Sequence, residues 1–73
     1  NVNIADKNGQ TPLMVASFYG EKIAVDQLIS TGANVNSKSR TGKTALMAAS
    51  TSGNPLVVNL LIRAGANINE QDE

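Results

Sequence analysis
The chain has 73 residues, 41% hydrophobic and 16% charged, and its six Lys and Arg balance six Asp and Glu to a formal net charge of zero. A length of this order allows one small domain that buries only about 60% of the surface its unfolded chain exposes, and neutrality removes any general attraction to nucleic acid or an anionic membrane. Cysteine and histidine are absent, which excludes disulfides, thiol chemistry, thiolate and imidazole metal ligands and the commonest general base; a reducing, intracellular compartment is compatible with this. The only aromatics are Phe18 and Tyr19, so the core must be aliphatic. Apolar stretches such as Leu56 to Ile62, interrupted by Asn59, fall far short of the roughly 20 residues that cross a bilayer. No segment near residue 1 has the basic, apolar, then small-residue order of a signal peptide, and membrane insertion is not expected.

Shifted by 33 positions along itself, the sequence places Gly9 on Gly42, Thr11 on Thr44, Leu13 on Leu46, Met14 on Met47 and Ala16 on Ala49. The register continues with Ser17 on Ser50, Gly20 on Gly53, Val25 on Val58, Leu28 on Leu61, Ile29 on Ile62 and Gly32 on Gly65. Asn1-Val2-Asn3 returns as Asn34-Val35-Asn36 and again as Asn67-Ile68-Asn69. A period of this length marks units that cannot bury their apolar faces alone and must stack, about three or more being needed for comfortable stability. The division this predicts is a partial repeat over 1–5, full repeats over 6–38 and 39–71, and the start of another at 72–73.

In chain order, Thr11 before Pro12 reads as a helix N-cap followed by proline at the first helical position, where its missing N–H costs nothing. Leu13, Ala16 and Ser17 then share a face at i, i+3, i+4 spacing, small enough to let another helix approach; Gly20 ends this helix. A second helix is expected from about Glu21 to Ser30, with Val25, Leu28 and Ile29 as its apolar stripe and Gly32 at the left-handed closing position. The polar connection from Ala33 to Lys43, rich in Asn, Ser, Thr and Gly, reads as a protruding hairpin. Thr44, Leu46, Ala49, Ser50 and Gly53 repeat the first helix, with Ala45 in place of the proline. Asn54 reads as the N-cap of a final helix from Pro55 to Arg63, whose stripe is Val58, Leu61 and Ile62.

The run Asp6-Lys7-Asn8-Gly9-Gln10-Thr11-Pro12-Leu13-Met14-Val15-Ala16, continued by Leu28-Ile29-Ser30-Thr31-Gly32-Ala33-Asn34-Val35-Asn36, closely resembles the ankyrin repeat, and the resemblance covers essentially the whole chain. It implies an all-α dominated repeat solenoid: stacked helix-turn-helix units with protruding β-hairpin or turn fingers. Its function is implied to be protein–protein interaction. There are departures: Met14 and Met47 stand where the family usually has histidine, so the turn hydrogen bonds that histidine makes are expected to be missing. Ser39 replaces the finger aspartate of the second unit, and Asn34 and Asn67 replace the aspartate of the Ala-Asp-Val-Asn motif. Asn36 and Asn69 match the asparagine that protein hydroxylases modify in some members, although an asparagine there can also satisfy turn backbone groups.

Catalytic and cofactor chemistry finds no support in the sequence. Thr41-Gly42-Lys43-Thr44 looks like the end of a phosphate loop, but Ser37 stands where that motif needs a glycine. Asp6, Glu21, Asp26, Glu70, Asp72 and Glu73 are scattered over turns and helix faces, and the cluster of Glu70, Asp72 and Glu73 reads as a solvated terminus rather than a metal site. Ser17 and Ser50 have no base nearby and read as small packing residues. No enzyme, cofactor or metal is therefore expected.

The resemblance implies docking on finger tips and on the adjoining first helices. These positions are Lys7, Asn8, Gln10, Phe18 and Tyr19 in the first unit. In the second they are Lys38, Arg40, Thr41, Lys43, Thr51 and Ser52. Four of the six basic residues thus sit on or beside fingers, which points to a partner with an acidic surface. Tyr19 is the favoured anchor, tyrosine being enriched in binding hot spots; Phe18 either joins it or packs on the preceding unit. The competing function is a scaffold segment that spaces domains or self-associates, because Ile23-Ala24-Val25 and Leu56-Val57-Val58 leave little polarity at the starts of the second helices.

Overall fold
The computed structural model describes residues 3–66, which form four helices: α1 (Pro12–Phe18), α2 (Lys22–Ser30), α3 (Ala45–Ser52) and α4 (Pro55–Arg63). Each pair is a helical hairpin turning at Gly20 or Gly53, and the hairpins stack chiefly through α1 on α3, with α2 beside α4. Among the described residues no helix is long and apolar enough to cross a membrane.

Local chemistry explains where the helices begin. Thr11 and Thr44 are extended, and each hydroxyl accepts the backbone N–H three residues on, Met14 N and Met47 N, both at 3.3 Å. Both threonines are buried, so these caps satisfy donors that water cannot reach. In the first unit Met14 closes the cap from the other side, its Sδ accepting from Thr11 N at 3.5 Å. A thioether is a weak acceptor, yet it supplies one contact at the position where the sequence led us to expect none.

The core is aliphatic, as the composition requires: Leu13, Met14, Ala16, Val25, Ala45, Ala49, Val57 and Leu61 form a single buried cluster. Alanines at 16, 45 and 49 keep the α1–α3 contact thin, while Leu13 and Leu61 supply the volume. Burying a leucine fully is worth about 1.5–3 kcal/mol relative to leaving it in water, so these two weigh heavily in so small a core. Ser50 differs from expectation: Ser17 is fully buried, whereas Ser50 lies exposed.

The fingers are turns; no strands form among the described residues. Asp6 N bonds Gln10 O at 2.9 Å and Ser39 N bonds Lys43 O at 2.8 Å, so the same loop closes in both units. The side chain organising each loop differs. One carboxylate oxygen of Asp6 accepts from Asn8 N at 2.9 Å and Gln10 N at 3.0 Å, while the Ser39 hydroxyl accepts from Lys43 N at 3.3 Å and meets the Thr41 hydroxyl at 3.1 Å.

Asparagines cross-link the stack. Asn3 Oδ1 accepts from Asn34 N at 2.8 Å and its amide donates to Gly32 O at 3.4 Å; one unit on, Asn36 Nδ2 donates to Gly65 O at 3.1 Å. Each therefore satisfies backbone of the following loop. Asn34 Oδ1 accepts from Asn36 N at 3.0 Å, filling the acceptor role of the replaced aspartate within the turn. Asn54 corrects the sequence reading: it occupies the N-cap position of α4 but makes no side-chain cap there. Its amide instead donates to Phe18 O at 3.2 Å and to the Ser52 hydroxyl at 2.6 Å, bridging the two hairpin turns.

Candidate functional site
A groove of about 350 Å³ runs along the inner helices, from the finger bases to the helix C-termini. Its apolar wall is Val15 and Phe18 of α1 with Ala48 of α3, Met14 lies at its base, and Tyr19 and Thr51 border one end. Gln10, Ser39, Lys43 and Thr44 border the other end. Helical periodicity builds it: 15 and 18 of α1 and its C-cap residue 19 fall at i, i+3, i+4, and 48 and 51 repeat the first two of these positions one unit later. The opposite stripe of α1, through Leu13, Ala16 and Ser17, goes into the core.

Tyr19 is 69% exposed and its ring meets that of Phe18 edge-on, centroids 5.2 Å apart. Phe18 is 45% exposed and lines the groove. An edge-to-face pair holds both rings with less freedom than either has alone.

Five of the eleven positions singled out in the sequence come together in this groove: Gln10, Phe18, Tyr19, Lys43 and Thr51. Lys7, Asn8, Lys38, Arg40 and Thr41 lie outside its lining, on or beside the finger turns. Arg40 stacks one finger on the other, its backbone N donating to Asn8 O at 3.0 Å and its guanidinium to Lys7 O at 3.1 Å. Ser52 turns back onto its own helix, its hydroxyl donating to Ala48 O and Ala49 O. The groove residues not foreseen are Met14, Val15, Ser39, Thr44 and Ala48. The 33-residue pairing of Val15 with Ala48, beside Phe18 and Thr51, was the signal that could have found them.

No cluster of three or more potential metal ligands occurs among the described residues. Glu70, Asp72, Glu73 and Asn69 lie outside those residues, as does Asn67.

Helical hairpins repeated at a fixed period, finger turns on one side and an open groove along the inner helices define a helical repeat solenoid. A family model for ankyrin repeats, three copies, matches residues 1–72, and the chain belongs to this family. Ankyrin repeats generally mediate protein–protein interaction, and the family is typically non-enzymatic. Among curated proteins no match to this chain is found.

Proposed function
We propose that the chain holds a protein partner along the inner-helix groove, with Tyr19 and Phe18 as the anchor and the finger tips at Lys7, Asn8, Lys38, Arg40 and Thr41 extending the contact. The observation supporting this most directly is the pair of exposed rings, the only aromatics of the chain, set at the mouth of a groove with an apolar wall. Aromatic side chains beside a desolvated pocket supply most of the energy of typical interfaces. The repeat division 6–38 and 39–71 is part of the same reading, since it gives each unit one finger and one stretch of groove wall.

The test is to select binders from a displayed random peptide library and to map them with Tyr19→Ala and Phe18→Ala. Loss of roughly tenfold or more in affinity, the weight of an interface hot spot, with the thermal melt unchanged, is the expected result; binders indifferent to both substitutions would place the receptive surface elsewhere.

A second reading, self-association, draws on Ile23 and Leu56. They are equivalent residues of the two units, 74% and 64% exposed, in the first turns of α2 and α4. Sedimentation equilibrium over a concentration series, with Ile23→Glu and Leu56→Glu as controls, decides it: a monomer at all concentrations removes this reading.

A further inference from the structure
We infer that the partner segment is an extended chain with an apolar side chain in the groove and a carboxylate two to four residues away, directed at Lys43; this rests on the groove being the binding surface. Among the described residues Lys43 is the one charged residue of the lining, and it stands at the finger end. Among the described residues no carboxylate borders the groove. Asp6 turns one oxygen into its own loop, while Glu21 and Asp26 belong to the second helix and its approach. An acidic group entering at the finger end therefore meets a cation with no carboxylate in the described lining, and its apolar neighbour meets Val15, Phe18 and Ala48.

Helix geometry sets the spacing. The seven residues of α1 rise about 10 Å at roughly 1.5 Å per residue, and an extended peptide covers that in about three residues at roughly 3.3 Å each. The volume of about 350 Å³ is near the lower end of the roughly 300–1,000 Å³ of ligand clefts, which fits one or two side chains and not the face of a folded domain.

The experiment is selection of displayed random 12-residue peptides on the 73-residue chain, followed by affinities of the enriched peptides. The expected peptides carry Asp or Glu two to four residues from Leu, Phe or Trp. Lys43→Gln and replacement of the peptide's acid by its amide should each weaken binding roughly fivefold at low salt, less at high salt, and together no more than either alone. Selection on Lys43→Glu should enrich Lys or Arg at the same spacing.

Peptides that depend on Tyr19 but show no acidic preference, or ignore Lys43→Gln, overturn this inference and leave the groove reading intact. Peptides indifferent to Phe18→Ala and to Thr51→Arg, which fills the groove from an exposed position, or no enrichment at all, overturn both. Equally tight, Lys43-dependent binding of a 12-nucleotide oligothymidine would assign the site to nucleic acid instead of peptide. Circular dichroism melts of each variant confirm that it is folded.

Discussion
The two units carry nearly the same residues in the same order, yet the same residue lives in different surroundings in each. Ser17 is fully buried while Ser50, its equivalent, is open to solvent; Leu61 is fully buried while Leu28 is only half-buried. The period establishes which positions are equivalent, but burial depends on which neighbour stands on which side. In a solenoid each unit has two stacking faces, and a side chain on one of them takes its energy from the adjacent unit.

That difference is most sharply tested in the core. Leu61→Ala should cost about 2–5 kcal/mol, as buried leucine truncations do, which is enough to unfold a domain this small. Leu28→Ala, the same change one unit earlier, should cost about half as much because part of its surface is already wet. Urea melts followed by circular dichroism compare the two, and equal losses would mean that the buried and the half-buried leucine contribute alike.

The next contrast separates backbone strain from contact. Gly20 and Gly53 end α1 and α3 with φ of +70° and +75°. A Cβ at Gly20 would run into the Asn54 side-chain amide, whereas one at Gly53 would meet nothing within 4 Å. Gly53→Ala should lose about 1 kcal/mol for the left-handed backbone alone. Gly20→Ala adds displacement of the Asn54 bridge, for a total of about 2–3 kcal/mol. Truncating the bridge first, with Asn54→Ala, should bring the two glycine substitutions level.

Much of this was legible in the sequence, for definite reasons. Helix limits followed from Thr-Pro, Asn-Pro and the closing glycines, and α2 begins at Lys22, one residue from the expected start. Asn54 was misread because an asparagine before Pro55 looks like a cap in isolation; only the stacked hairpin turns show a better partner in Phe18 O. The groove was half legible. Its aromatic and basic members stood out as unusual, but Val15 and Ala48 drew no reading of their own, since periodicity identifies faces of a helix without saying which of them is covered.

Ser17 gives a third contrast, of opposite sign. Its hydroxyl is fully buried and finds no hydrogen-bond partner among the described residues, and an unsatisfied buried polar group costs about 1–3 kcal/mol. Ser17→Ala should therefore stabilise the chain by about 1 kcal/mol, after allowing for the small void left behind, and the gain would appear as a higher melting temperature. Ser50→Ala should stay within about 0.5 kcal/mol of the parent. Destabilisation by Ser17→Ala would show that the hydroxyl has a partner, such as a bound water.

The smallest effect is the one that joins stability to binding. Asp6 and Ser39 organise equivalent fingers, one with a charge and one without, and only Ser39 borders the groove. Ser39→Asp should tighten the second finger by about 0.5 kcal/mol, because a carboxylate accepts backbone N–H groups more strongly than a hydroxyl does. It also places a negative charge near Lys43, where an acidic ligand would need none. Affinity for an acidic peptide should then fall about threefold while the melting temperature rises. If both rise together, the second finger is limited by its order and not by its charge, and the serine at 39 serves no purpose in admitting an acidic partner.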